Sequence, residues 1–140
     1  MHIAFFGSSI LSSYWNGAAT YYRGLLKNLV KLGHQITFYE SDAYQRQENR
    51  DLDEVPGIRS VVYSGSDAQA AKKCIGEAQR ADVLVKASGV GVFDELLETS
   101  IATLSPSRIT IFWDVDAPAT LERVFSNPDD TLRAQIPRFH

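Results

Sequence analysis

The stretch that most constrains this chain is its first 33 residues, Met1 to Gly33. It begins with a short apolar run, His2-Ile3-Ala4-Phe5-Phe6, closed by Gly7. A parallel strand covered on both faces shows a continuous apolar run rather than alternation. A polar loop follows, Ser8 to Asn16, and then Gly17-Ala18-Ala19. Tyr22, Leu25, Leu26, Leu29 and Leu32 recur at three- and four-residue steps, which predicts one buried helix face. Gly33 stands where a helix commonly stops, and Gln35 to Glu40 reads as the next strand. The unit is strand, glycine turn, loop, helix, strand.

The pattern then repeats with variations. Ser41 to Gly57 is the most polar stretch; a short helix can start at Asp42, and Tyr44, Arg46 and Arg50 make it either a solvated connection or a ligand-facing segment. Strands are expected at Ile58–Tyr63, Asp82–Ala87 and Arg108–Trp113. Ser66 or Asp67 can cap a helix with Ala68, Ala71, Ile75 and Ala78 on one face. Phe93, Leu96, Leu97, Ile101 and Leu104 predict the inner face of the next helix. Ala117 to Phe125 reads as a helix with Pro118 in its first turn, Asn127 to Asp130 as a turn, and Thr131 to Gln135 as one more helical turn. Ile136 to His140 then stops without a closing element.

Strands that alternate with helices or long crossovers predict an α/β fold with a parallel sheet and helices on both faces. With the order 3-2-1-4-5, ligands are expected at the carboxyl ends of the strands, where the chain reverses its direction of travel. Gly7 and the Ser88-Gly89-Val90-Gly91 turn follow strands one and four, so they should face each other there. Asp114 and Asp116, after strand five, should stand beside them.

Composition narrows the chemistry. At 140 residues the chain is one domain by size, 1–140. A net charge of -3 gives no reason to expect nucleic acid or an anionic membrane as partner. No apolar run approaches the roughly 20 residues of a membrane helix. The lone Cys74 cannot form an internal disulfide and is expected to be a buried structural thiol, so the cytoplasm is the expected compartment. Neither a Walker A loop nor a zinc-ligand cluster occurs. His2, His34 and His140 fall at a strand start, a helix–strand junction and the terminus, so no hydrolase triad stands out. Glu40 ends strand two, where an acid can hold a ribose hydroxyl of a nicotinamide cofactor, or simply be solvated. Against the cofactor, Gly7 and Gly17 are ten residues apart, too far for one tight pyrophosphate turn.

The long loop, with a glycine at each end and opening a helix, therefore suits a phosphate. Tyr14, Trp15, Tyr21 and Tyr22 add flat surfaces that suit a sugar or an aromatic ring.

Several strings carry a resemblance. Phe6-Gly7-Ser8-Ser9 with Tyr14 to Gly24 and Gly33 to Glu40, Lys86 to Asp94, and Phe112-Trp113-Asp114-Val115-Asp116-Ala117-Pro118 resemble the amino-terminal half of GT-B glycosyltransferases. They are most similar to bacterial proteins of the spore-maturation glycosyltransferase type. The resemblance implies a Rossmann-like acceptor-side domain, one half of a GT-B architecture, with a carboxyl-terminal donor-binding domain absent from this chain. It implies transfer of a sugar from a nucleotide-sugar donor to an unknown acceptor, with no further cofactor and no metal, and no activity from the 140 residues alone. Asp114 and Asp116 are then candidates to orient or deprotonate the acceptor hydroxyl. Asp116 can equally cap the helix that follows it. Gly7, Ser8, Asn16, Gly17 and Tyr22 would lie on one wall of the substrate site, and Ser88, Gly89, Val90 and Gly91 on the other. Apolar surface around Ile136 and Phe139 is expected to support a homodimer. The rival readings are a non-enzymatic ligand- or protein-binding module and a nicotinamide-dependent oxidoreductase domain.

Overall fold

A computed structural model describes residues 1–140. Five strands form one all-parallel sheet in the order β3-β2-β1-β4-β5. They are β1 (His2–Gly7), β2 (Gln35–Asp42), β3 (Ile58–Ser64), β4 (Val83–Ala87) and β5 (Ile109–Trp113). The helices are α1 (Ala18–Lys31), α2 (Ala68–Ala78), α3 (Asp94–Thr103), α4 (Ala117–Ser126) and α5 (Thr131–Gln135). A single 3-10 turn, Ile136–Arg138, follows. This is the Rossmann-like α/β architecture that the alternation predicts.

Alternation along β1 divides the core in two. Ile3 and Phe5 face α1, where they join Tyr22, Leu26, Ile36 and Phe38. Ala4 and Phe6 face α2 and α3, where they join Tyr39, Ile75, Leu84, Leu97 and Ile101. Phe5 stacks on Phe38 at 5.4 Å between ring centroids, and Tyr22 meets Phe5 edge-on at 5.3 Å. Each such fully buried ring is worth about 1.5–3 kcal/mol of transfer free energy. On the other face Phe6 stacks on Tyr39 at 4.6 Å.

Helix α1 ends as its sequence predicts. Gly33 takes φ +86°, its N–H donates to Val30, and the His34 N–H donates to Leu29. That double closure requires a left-handed residue, which glycine adopts without a Cβ clash. Helices α2, α4 and α5 are capped by Asp67, Asp116 and Asp130, whose carboxylates accept from Gln69, Ala119 and Leu132.

Four expectations are corrected. Leu32 is not on the buried face: it sits at the end of α1, 73% exposed, because the chain turns away there. No helix starts at Asp42; Tyr44 and Gln45 both take positive φ, which breaks helical continuation and leaves a chain of turns. The carboxyl end does close on the sheet. The His140 N–H donates to the Thr110 carbonyl at 2.9 Å, and its Nδ1 accepts from the Thr110 N–H. Phe139 is half-buried against Phe112, so of the pair expected to be exposed only Ile136 is. The most exposed large apolar side chain outside the rim is Phe125 of α4, at 74%.

No helix is long and apolar enough to cross a membrane. Cys74 is buried, and burial pushes its thiol pKa up, as suits a structural position. His2, His34 and His140 all stand towards the amino ends of strands.

Candidate functional site

The carboxyl rim is set by strand register. Gly7 pairs with Glu40, Phe6 with Lys86, and Ala87 with Trp113. The residues that follow β1, β4 and β5 are thereby brought to one edge of the sheet. A single guanidinium nitrogen, Nη1 of Arg46, donates to the Ser8 carbonyl at 3.3 Å and to the Val90 carbonyl at 3.4 Å, so the two glycine turns do lie side by side. The Ser88 hydroxyl donates to Asp114 at 2.8 Å, which brings the end of β5 to the same rim.

The loop between β1 and α1 is locked rather than open. Its centre is Glu40, which is fully buried. The Glu40 carboxylate accepts from the Ser9 hydroxyl (3.0 Å), the Ile10 N–H (2.6 Å), the Leu11 N–H (3.3 Å) and the Gln47 amide (2.6 Å). Such bonds to a charged acceptor are the strong kind. Glu40 is therefore neither a solvated strand end nor free for a ribose hydroxyl. Asn16 completes the lock. Its carbonyl accepts from the Ser8 hydroxyl, and its amide donates to the Ser9 and Ser12 carbonyls. The Ser12 and Tyr14 N–H groups go to the Ser9 and Ser12 hydroxyls, and the Ser13 N–H to Asp51. Arg23 ties the loop down by donating to the Ile10 carbonyl and, through both terminal nitrogens, to Asp51.

These bonds correct the roles expected of the first wall. Ser8 and Asn16 are buried and bound to each other, so they shape the loop instead of facing a ligand. Tyr22 is fully buried in the core; its hydroxyl has no protein partner, and burial pushes its pKa up to about 12. Packing alone accounts for Gly7. A Cβ there would lie 2.5 Å from Cζ of Phe38 and 3.3 Å from Cε2 of Tyr22. Gly17 is different: a Cβ there would meet nothing within 4 Å, and the helix it opens has no side-chain cap.

Two hollows flank the locked loop. The first, about 410 Å³, is lined by Gly17, Ala18, Tyr21, Trp113, Asp114 and Val115. The Tyr21 and Trp113 rings lie 6.2 Å apart there. Asp114 is fixed through one oxygen, Oδ1, which accepts from Ser88 (2.8 Å), the Asp116 N–H (3.1 Å) and the Thr120 hydroxyl (3.0 Å). Ser88 is itself oriented by the Val115 N–H, which donates to its hydroxyl at 2.9 Å. Oδ2 makes no bond within the protein. Asp116 does not share this arrangement: its side chain caps α4 at 3.4 Å from the Ala119 N–H. The second hollow, also about 410 Å³, is lined by Tyr14, Trp15, Tyr44, Gln45, Arg46 and Gly91.

The second wall divides between the two. Ser88 serves the Asp114 hollow, and Gly91 the Arg46 hollow. Val90 is fully buried and offers only its carbonyl, to Arg46. Gly89 is exposed at φ +66° with open space at its Cβ. Beneath this turn Lys86 is fully buried. Its ammonium donates to the Ala87 carbonyl (2.7 Å) and Asp94 (2.6 Å) and lies 3.7 Å from Glu98. Glu98 also meets Arg123, which binds Asp130; the two carboxylates hold the Arg123 guanidinium well above its usual pKa. This chain of charges joins β4 to α3, α4 and α5.

Sequence reasoning misses Thr120, Glu40's role and the pairing of Trp113 with Tyr21. The signal for Thr120 was its place four residues after a capping Asp, one helical turn back towards Asp114. No three His, Cys, Asp or Glu side chains converge in a way that could hold a metal ion. Set against known proteins, the chain matches no family model, no curated protein and no solved structure.

Proposed function

We propose that this chain is the acceptor-side domain of a glycosyltransferase of the GT-B kind, receiving the hydroxyl compound to which a nucleotide-sugar's sugar is moved. The observation that carries this reading is the state of Asp114. One carboxylate oxygen is held by three donors, the other has no protein partner, and Asp114 lines a hollow walled by two aromatic rings. A carboxylate can orient or deprotonate a hydroxyl only when fixed within hydrogen-bond reach of it. Three bonds to one oxygen supply the fixing and leave the other oxygen for the hydroxyl. The rings of Tyr21 and Trp113 supply flat apolar faces of the kind sugar rings pack on.

In this reading Asp114 is the working carboxylate, with Ser88 and Thr120 positioning it. Asp116 caps α4 and keeps the end of β5 in place. The start of α1, which has no side-chain cap, lines the same hollow at Gly17 and Ala18, so the positive end of the helix dipole lies beside it. The nicotinamide reading loses its main support, because the acid it needs at the end of β2 is spent inside the protein.

Saturation-transfer NMR on the 140-residue chain tests the proposal with mono- and disaccharides, nucleotide-sugars and NAD(H). The expected result is transfer from Trp113 and Tyr21 to sugar-ring protons, weakened about tenfold or more by Asp114→Asn. A response to NAD(H) alone would turn the assignment towards an oxidoreductase. Silence from every small molecule would leave a protein-contact module.

A further inference from the structure

Arg46 occupies an unusual position. It is only 8% exposed, yet no carboxylate lies within ion-pair distance. Its two hydrogen bonds both come from Nη1, at 3.3 and 3.4 Å, to the carbonyls of Ser8 and Val90. Its Nε is buried with no acceptor at all. Nη2 has no protein partner either, and it is not among the buried orphans, so it reaches the open side of the hollow. The nearest acid acting on it is Glu40, whose own carboxylate is occupied by four donors. Burial pulls the Arg46 pKa down from its ordinary value, while Tyr44, Glu40 and Tyr22 pull it back up; a guanidinium nonetheless stays charged in a protein.

Burying a cation without its counter-charge costs several kcal/mol unless something supplies one. The surrounding backbone adds to that cost. Trp15, Tyr44 and Gln45, three of the six residues lining the hollow, have φ of +46°, +57° and +58°. Strain of this kind persists where the surroundings impose it, and it clusters at ligand sites. The Tyr44 ring lies under the guanidinium at 4.9 Å, and its hydroxyl donates to the Gly91 carbonyl at 2.7 Å. Gly91 is forced here, since a Cβ would come within 2.7 Å of the Tyr44 ring. Trp15, 86% exposed and edge-on to Tyr14, stands at the mouth as an unused flat face.

We infer that this hollow binds an organic anion, a phosphate- or carboxylate-bearing ring compound, with the acid group on Arg46 and the ring against Trp15. The site is separate from the Asp114 hollow and does not depend on sugar transfer. Nη2, which has no protein partner and is not fully buried, presents a charged donor to an oxygen of a phosphate or carboxylate. Trp15 supplies stacking without a change of fold, because it is already outside the core.

Titration of the whole chain with phenyl phosphate, benzoate and neutral phenol tests this, read by 15N chemical shifts of the Arg46 Nε–H, Gln45 and Gly91. The expected result is saturable shifts with the two anions and none with phenol, with phenyl phosphate and benzoate separating the phosphate from the carboxylate source. Arg46→Met should weaken anion binding about 10–100-fold while raising the melting temperature by a few degrees. Arg46→Lys should recover only part of the affinity, and Trp15→Ala should weaken binding several-fold with the fold unchanged. No anion-dependent shift in the wild-type chain would overturn the inference. So would unchanged anion binding by Arg46→Met, or a melting temperature for that variant several degrees below wild type.

Discussion

Glu40 and Arg46 lie six residues apart at the same rim, both withdrawn from water, and their surroundings differ in kind. Four donors converge on Glu40, from Ser9, Ile10, Leu11 and Gln47. Arg46 has two long contacts from one nitrogen and an orphaned Nε. Lys86, under the neighbouring turn, resembles Glu40: it is fully buried and fully answered by Ala87, Asp94 and Glu98. A buried charge with all its partners inside the protein is part of the scaffold. One with few partners inside the protein is a place where an outside anion could bind. The locked loop is thus a built wall, and the hollow beside it holds a cation that the protein answers only through two carbonyls.

The largest effect should come from breaking the wall. Glu40→Ala leaves two backbone N–H groups, a hydroxyl and an amide without their acceptor. We expect a loss of about 3–5 kcal/mol, a large part of the roughly 5–15 kcal/mol of a domain, measured by urea unfolding. A loss below the cost of one hydrogen bond would mean that the loop holds itself.

Next comes Gly7→Ala, which pushes a methyl into the Phe38 ring. It should cost about 1–3 kcal/mol and disturb the near-ultraviolet circular dichroism of the stacked rings. If it were silent for stability and harmful only to ligand binding, Gly7 would return to the role of phosphate loop.

A smaller effect concerns pH. Arg23 beside Asp51 holds that carboxyl well below the usual range, and it does so mainly through their hydrogen bonds. Because the folded value lies below the unfolded one, the stabilisation is complete above about pH 4. It is lost as the pH falls through the folded value. Asp51 is 44% exposed, so solvent screening limits the gain to about 1 kcal/mol. Asp51→Asn should flatten the acid limb of the stability profile, and high salt should shrink the difference.

The smallest should be Gly17→Ala, which meets nothing and has φ -59°. We expect a change within about 0.5 kcal/mol. Together with Gly7→Ala it separates two glycines to which the sequence lends the same role.

Much of the fold was legible because it rests on period and punctuation. Continuous apolar runs, helix spacing at Tyr22 and Leu26, Gly33 past a helix end and Asp67 at a helix start are local signals, and each acts within a few residues of itself. The strand order is the usual one for such alternation, and it brings Gly7, Gly89 and Asp114 to one rim. The site was legible as a place, less so in its parts. Ser8, Asn16 and Tyr22 have the right chemistry for a ligand, yet they spend it on the loop or the core. Nothing near Tyr44 in the sequence announces that it will take a positive φ under Arg46 and against Gly91, 47 residues away.

By itself, then, the sequence determined the alternating elements and the parallel α/β class, since hydrophobic period and turn residues act locally. Only the tertiary structure decided which polar groups are already satisfied and which are left over. That depends on register: pairing Gly7 with Glu40 lays the loop's donors over a carboxylate about thirty residues away in the chain, and the next turn leaves Arg46 without one. Hydrogen-bond capacity is set by residue type, but whether it is used is settled by what folding brings within about 3 Å.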